Sequence, residues 1–254
     1  MVLKDNEFEM QHQITYYECD PKGYLTLGML INLAVLASGS QSEALEIGEA
    51  AVKEVGGGWV ITSYDIFVDH FPKIGEQVLL GTRATSYNKY FAFREFWVKD
   101  LAGNELAHIN GVFVFMDMAT RKMVRIPDEV IYPYHSAPVK RIPRLHRPDE
   151  IQTEEAVTQK QYQVRYFDID ANLHVNNAHY FDWMLDALDA DFLKTHTLTK
   201  MSIKYEREVR YGDLVTSQVT PAISSDQGQV MTKHQILVNQ ELHAQANCWW
   251  NENA

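Results

Sequence analysis

Cysteine is scarce in this chain of 254 residues: there are two, Cys19 and Cys248, too far apart in sequence to form metal-ligand spacing. A bridge between them is compatible with the sequence, but nothing demands it, and such sparing use points to a reducing cytoplasm. Cations are also short, with Lys and Arg totalling 23 against 34 Asp and Glu, for a formal net charge of −11. That balance argues against a general nucleic-acid or anionic-membrane surface, so an acidic partner would need a local basic patch. No apolar run is long enough to cross a bilayer, and Met1-Val2-Leu3-Lys4-Asp5-Asn6-Glu7 lacks the basic and apolar regions of a signal peptide. The triple glycine Gly56-Gly57-Gly58 has neither the Lys-Ser/Thr of a phosphate loop nor the spacing of a dinucleotide fingerprint, and reads as a flexible connection.

What is present is a globular composition, 46% hydrophobic and 22% charged, of a length that holds one large domain or two ordinary ones. Residues 7 to 19 alternate roughly as a strand, and Thr26 to Leu36 is apolar on almost every side, the pattern of an enclosed helix. Four β-branched and aromatic runs follow at 59–68, 77–82, 90–98 and 106–116, separated by turn-type segments such as Pro72-Lys73-Ile74-Gly75. One enclosed helix followed by a curved antiparallel sheet is the outline of a hotdog fold. From Pro127 to Pro148 the composition shifts to Pro, His, Arg and Lys, which reads as an interdomain linker.

The second half then repeats the first. Placing Asp20 under Asp170, an offset of 150, also aligns Ile14 with Val164, Tyr16 with Tyr166, Tyr17 with Phe167 and Glu18 with Asp168. Further on, Ile74-Gly75-Glu76-Gln77-Val78 matches Tyr211-Gly212-Asp213-Leu214-Val215 at an offset of 137, so the first half has a helix-to-sheet connection 13 residues longer (150 − 137). Strand-like runs at 230–238 and 242–250 close the second copy. Two tandem copies of one fold are the economical reading.

Polar chemistry concentrates between Asp168 and Asn177, where two carboxylates, three Asn amides and an imidazole precede the helical spacing that begins at Ala178. A helix start leaves backbone N–H groups unpaired and carries the positive end of the macrodipole, so it favours anions and the oxyanion of an attacked carbonyl. Two readings stand: a site for acyl chemistry, or a set of turn and capping residues. Comparing the halves favours the first. Where the second half has Asn172, His174 and Glu208, the first has Lys22, Tyr24 and Phe71. Residues that only capped a helix would be needed in both copies.

Asp170-Ala171-Asn172-Leu173-His174-Val175-Asn176-Asn177 resembles the Asp-x-Asn-x-His-Val-Asn-Asn motif of the acyl-acyl carrier protein thioesterases, which end fatty acid synthesis in plants and have bacterial relatives. Tyr205-Glu206-Arg207-Glu208-Val209 resembles that family's second motif, and Asp117-Met118-Ala119-Thr120-Arg121-Lys122 its Asp-x-x-Thr-Arg-Arg/Lys segment. The resemblance covers most of the chain in the same order. It implies an α+β protein of two tandem hotdog domains, each a long helix wrapped by an antiparallel β-sheet. The expected boundaries are 1–134 for a first domain with a degenerate site, 135–158 for a linker and 159–254 for the domain carrying the catalytic motif.

Carried over position by position, the resemblance implies Asp170, Asn172, His174 and Glu208 as the catalytic set for hydrolysis of the thioester of fatty acyl-acyl carrier protein. A carboxylate, Glu208 first and Asp170 second, would activate water or attack directly. His174 would orient the water or donate a proton to the leaving sulfur. Asn172 and the first helical N–H groups would bind the oxyanion. No metal or organic cofactor is required. Some family members have Cys after the Glu; Val209 stands there in this chain, so a catalytic cysteine at that position does not apply.

The residues by themselves leave rivals open. In a strand, Glu208 would share one face with Lys204, Glu206 and Arg210, a row that is ordinarily solvated. His174, His179 and Asp182 suggest a metal, but two histidines five apart do not share a helical face. His12, His70, His108 and His135 read as ordinary surface or hydrogen-bonded histidines. Aromatic rows such as Phe91, Phe93 and Phe96-Trp97 belong to a core or line an acyl tunnel. An acidic carrier protein bearing the fatty acyl chain would meet Arg121, Lys122 and Arg125, or Lys140, Arg141, Arg144 and Arg147, unless these charges serve solubility alone. No nucleic acid partner and no membrane insertion are expected, and the chain would be a monomer or a homodimer. The alternatives are an acyl-coenzyme A thioesterase, a non-catalytic acyl-binding protein, and a dehydratase or hydratase on the same fold.

Overall fold

The Thr26 hydroxyl accepts the Met29 N–H at 3.2 Å and so starts the longest helix of the chain, α1 (Leu27–Ala44). In this computed structural model residues 2–4, 6–171, 174–224 and 228–253 are described; Asn172 and Leu173, both in the motif, lie outside them. The chain divides into two compact units, Met1–Leu145 and His146–Ala254.

In the first unit, β1 (Val2–Lys4), β2 (Glu7–Gln13), β3 (Gly57–Val68), β4 (Gln77–Tyr87), β5 (Phe91–Asp100) and β6 (Glu105–Asp117) form an antiparallel sheet in the order β1-β2-β4-β5-β6-β3. Short β7 (Lys122–Val124) adds to β6, and β8 (Ala137–Pro138) runs parallel to β4. Helix α1 lies against β2 and β4 and buries Leu27, Leu30, Ile31, Leu33, Ala34 and Ala37. Each such leucine contributes about 1.5–3 kcal/mol through its removal from water. The helix is not enclosed on every side as its composition predicts: Val35 and Leu36 are 46% and 45% exposed, because the sheet covers one face. It also continues through the polar residues 38–43. Gln41 is drawn inwards there, donating to the Asn6 carbonyl at 2.8 Å and accepting from Arg94 Nη1 at 2.6 Å.

Two expectations change on folding. The triple glycine is not a loose connection. Gly56 turns with φ +73°, and Gly57 opens β3, where a Cβ would stand 2.1 Å from the Phe115 ring. Gly57→Ala is therefore expected to cost about 1–3 kcal/mol of stability by overpacking, read from urea unfolding. Pro127 to Pro148 is likewise not a linker throughout, since its first residues fold into the first unit. Pro127 has φ −63°, suited to the start of α3 (Asp128–Ile131), and Ile126, Val130, Ile131 and Tyr134 are buried in one cluster with Ile47, Val52 and Phe115. Ile47 and Val52 come from the longer helix-to-sheet connection, which holds α2 (Glu49–Glu54).

In the second unit, β9 (Thr158–Gln163), β10 (His196–Tyr205), β11 (Leu214–Val219), β13 (Val230–Val238) and β14 (Glu241–Glu252) pair in the order β9-β11-β13-β14-β10, with β12 (Ile223–Ser224) on β13. This is the order β2-β4-β5-β6-β3 of the first unit. Its helix α4 (Ala178–Asp186) has nine residues, half the length of α1, and buries Tyr180, Phe181, Trp183 and Met184 towards β11 and β13. Asp189 ends the apolar segment by capping a separate helix, α5 (Ala190–Thr195), through the Phe192 N–H at 2.7 Å. A buried chain of hydrogen bonds ties α4 to the sheet. Trp250 Nε1 donates to Thr232 Oγ1 at 2.9 Å, the Thr232 hydroxyl donates to His234 Nε2 at 2.8 Å, and His234 Nδ1 donates to the Met184 carbonyl at 3.1 Å.

Candidate active site

The motif loop is built the same way in both units. Asp168 and Glu18 each end a single 3-10 turn and accept the backbone N–H of the residue before that turn, Arg165 at 2.8 Å and Thr15 at 2.7 Å. Their carbonyls then accept Asn176 N–H at 2.9 Å and Thr26 N–H at 3.0 Å. Between these bonds, Asp170 N–H donates to the His174 carbonyl at 2.8 Å, as Asp20 N–H does to Tyr24 at 2.8 Å. In the first unit the Asp20 carboxylate also accepts the N–H groups of Lys22 and Tyr24 at 2.8 and 3.0 Å. The turn thus belongs to the shared template, and the side chains it presents distinguish the copies.

The capping reading holds for one of the motif's asparagines: Asn176 Oδ1 accepts the Ala178 N–H at 3.0 Å. Asn177 occupies the N-cap position with helical dihedrals, and its side chain makes no capping bond among the described residues. Asp168 is spoken for as well. Burial would raise its pKa, but hydrogen bonds from the Arg165 side chain and backbone, with His179 nearby, hold it below the ordinary carboxylate value. His179 stands 3.7 Å from both Asp168 Oδ1 and Asp182 Oδ2, turned to those carboxylates. No group of three or more His, Cys, Asp or Glu side chains placed to hold a metal occurs among the described residues.

Glu208 does not sit in a strand. β10 ends at Tyr205, and the next two N–H groups, of Glu206 and Arg207, both point at the His243 carbonyl, at 2.8 and 3.1 Å, which breaks the period of two. The neighbouring charges are engaged elsewhere, Lys204 with Glu206 and Arg207 with Glu241. Val209 is buried, and its N–H donates to the Tyr180 hydroxyl at 3.1 Å. Arg210 N–H donates to Asp213 Oδ2 at 2.8 Å ahead of Gly212, whose φ is +85°. On this irregular backbone the Glu208 side chain is 29% exposed, and its Oε1 lies 3.5 Å from His174 Nε2.

An imidazole and a carboxylate in contact at the mouth of α4 form an acid–base pair. The first N–H groups of α4 are not open to an oxyanion as the helix start alone suggests, because Ala178 N–H is taken by Asn176 Oδ1 at 3.0 Å, and those of His179 and Tyr180 by the Asn176 and Asn177 carbonyls at 3.0 and 3.2 Å. Burial raises the pKa of Tyr180 and lowers that of His243, so both are neutral near pH 7. Neither residue stands out in the sequence; the signal was available in the half-to-half comparison, where both correspond to leucines. The aromatic rows divide, Phe96 lying in the core while Phe93 and Phe113, with Trp59, line a cavity of about 80 Å³ in the first unit.

Two units with one strand order, each laying a helix on an antiparallel sheet, define a tandem hotdog protein. Residues 5–134 match the family described as the acyl-ACP thioesterase N-terminal domain, and residues 151–252 match its C-terminal domain. The chain belongs to the acyl-ACP thioesterase family. It is 32% identical over 177 residues to the chloroplastic acyl-[acyl-carrier-protein] hydrolase FATB3 of Cuphea viscosissima, a match covering 67% of this chain and 42% of that protein. The chain thus spans less than half the length of that relative. A putative oleoyl thioesterase from Lactobacillus plantarum superimposes with a TM-score of 0.95 and 45% identity, covering 98% of this chain and 97% of that one. The 12:0-ACP thioesterase from Umbellularia californica gives a TM-score of 0.83 over 98% of this chain and 95% of that one, at 20% identity, a likeness of fold.

Proposed function

We propose that this protein hydrolyses the thioester of fatty acyl-acyl carrier protein, releasing free fatty acid, with the reacting groups in the second unit. The observation that carries the reading is the 3.5 Å contact between His174 and Glu208 in the one copy of the fold that has both residues. Glu208 takes a proton from water as the water oxygen attacks the thioester carbonyl. The oxyanion is received by the Asn172 amide, a role that rests on family resemblance. When the carbon–sulfur bond breaks, His174, protonated, gives its proton to the thiolate. Transfer from Glu208 to His174 across their contact restores both groups, so thioester and water become carboxylic acid and thiol.

Glu208 is preferred to Asp170 as the base because the residue matching Asp170 in the first unit, Asp20, is occupied with turn N–H groups. Asp170 acts through the bond from its own N–H to the His174 carbonyl, which holds the backbone of the turn that carries the imidazole. No metal or organic cofactor enters the scheme. Both cysteines are free thiols, which suits work in a reducing cytoplasm. The test is release of free thiol from acyl-carrier protein and acyl-coenzyme A across acyl lengths. Turnover of carrier-bound substrate supports the reading, faster turnover of coenzyme A esters would move it to an acyl-coenzyme A thioesterase, and binding without thiol release would make the protein a non-catalytic acyl-binding protein.

The acidic partner needs positive charge on a chain that is negative overall. Lys140, Arg141, Arg144 and Arg147 are exposed along one short run, with Arg147 paired to Glu150 at 3.4 Å, as Arg125 is to Asp128 at 3.3 Å. Neutralising Arg141, Arg144 and Arg147 together is expected to lower kcat/KM on carrier-bound substrate by about 5–20-fold at low salt and leave acyl-pantetheine within about twofold. Equal losses on both substrates would place docking elsewhere.

A further inference from the structure

Position 243 changes between the two units in step with the catalytic positions. Its counterpart at the offset of 137 is Leu106, buried at 1% exposure, whose carbonyl accepts the N–H groups of Asp69 and His70 at 2.9 and 3.3 Å. The His243 carbonyl accepts those of Glu206 and Arg207 in the same manner. That backbone device is inherited; the side chain is new. The His243 imidazole, 7% exposed, interacts with the backbone carbonyl of Glu208, and its Nδ1 is buried without a hydrogen-bond partner among the described residues.

A second replacement ends on the adjacent residue. Val209 corresponds to Pro72, which has no N–H, and the helix position matching Leu30 of the first unit is Tyr180, whose hydroxyl takes the Val209 N–H at 3.1 Å. Two core leucines of the degenerate unit are thus a histidine and a tyrosine in the unit where Glu208 faces His174. Leaving a buried polar atom without a partner costs about 1–3 kcal/mol, which leucine at the same place would not incur. Stability therefore gives no reason for the imidazole.

We propose that His243 and Tyr180 are positioning residues that fix the backbone on either side of Glu208, so that its carboxylate meets His174 and the attacking water. The proposal rests on the reading of Glu208 as the base. Outside a strand, Glu208 has no ladder to hold it, and a misplacement of about 1 Å at a reacting group costs about 10²-fold in rate. The imidazole holds the Glu208 carbonyl, and the phenol holds the following N–H.

The test uses the full chain with His243→Leu, which restores the residue of the first unit, His243→Gln, which keeps a side-chain N–H donor, and Tyr180→Phe. His243→Leu and Tyr180→Phe are each expected to lower kcat by roughly 10–100-fold with KM within about threefold, and His243→Gln to recover at least about threefold of the loss. Amide hydrogen exchange at residues 206–209 is expected to accelerate about tenfold in both disabling variants while Ala246 in β14 keeps its protection. Rates within twofold of wild type, a loss carried by KM, or a Gln variant no better than Leu at equal thermal stability would overturn the proposal. If His243→Leu fails to fold, Tyr180→Phe decides. If wild type cleaves no thioester, the reading of function falls, and the exchange measurement alone decides the positioning.

Discussion

Glu208→Gln is expected to lower kcat for thioester hydrolysis by about 10²–10⁴-fold, the range for losing a general base, with KM close to unchanged. Gln keeps the volume and the contact with His174 but takes no proton from water. His174→Ala is expected to fall in the same range, and the double variant little further, because the two groups act as one unit. Asp170→Asn separates the two candidate carboxylates. It should lose much less than Glu208→Gln if Asp170 acts through the backbone, and an equal or larger loss would transfer the role of base to Asp170. A Glu208→Gln enzyme retaining more than about a tenth of wild-type kcat, by thiol release in single-turnover and steady-state assays, would remove Glu208 from the mechanism.

Acid is expected to destabilise the second unit through His234. Burial lowers its pKa from 6.5 to about 4, although the Met184 carbonyl works in the other direction. Above pH 6.5 the ring is neutral in both folded and unfolded chains and contributes no pH dependence. As pH falls below 6.5 the unfolded chain binds a proton that the folded chain refuses, so stability declines by up to about 1.4 kcal/mol per pH unit and by about 3 kcal/mol in all by pH 4. Below that value both states are protonated and the decline through this group stops. His234→Asn, which keeps an N–H for the Met184 carbonyl and removes the titration, should start less stable than wild type at pH 7 and lose less on acidification. The gap between the two should narrow by about 3 kcal/mol between pH 7 and pH 4 in urea unfolding, and parallel curves would show that His234 is not excluded from protonation.

Much of the architecture is legible from residue order because it depends on period and composition. Alternating β-branched and aromatic runs place β3 to β6 and β13 to β14 within a few residues of their ends, since strand period is a local property. The helices are less legible. Thr26 to Leu36 reads as enclosed because composition counts apolar residues without saying how many neighbours exist to cover them, and one sheet leaves Val35 and Leu36 in water. Gly57 reads as flexible because the Phe115 ring that requires it lies far away in sequence.

The candidate site divides along the same line. The sequence by itself determined that one template was used twice and that His174, Asn172 and Glu208 have no equivalents in the first copy, since a duplicated chain carries its own internal comparison. Tertiary structure alone decided which way Glu208 points. Its flanking N–H groups turn to a carbonyl of β14 and to a hydroxyl of α4, and those partners stand 36 and 29 residues away (243 against 207, 209 against 180). Read as a strand, its charges line a solvated face. Bent by His243 and Tyr180, the same residues deliver one carboxylate to the imidazole. Local pattern encodes period, whereas the direction of a side chain on irregular backbone is set by whichever distant groups satisfy the amides on either side of it.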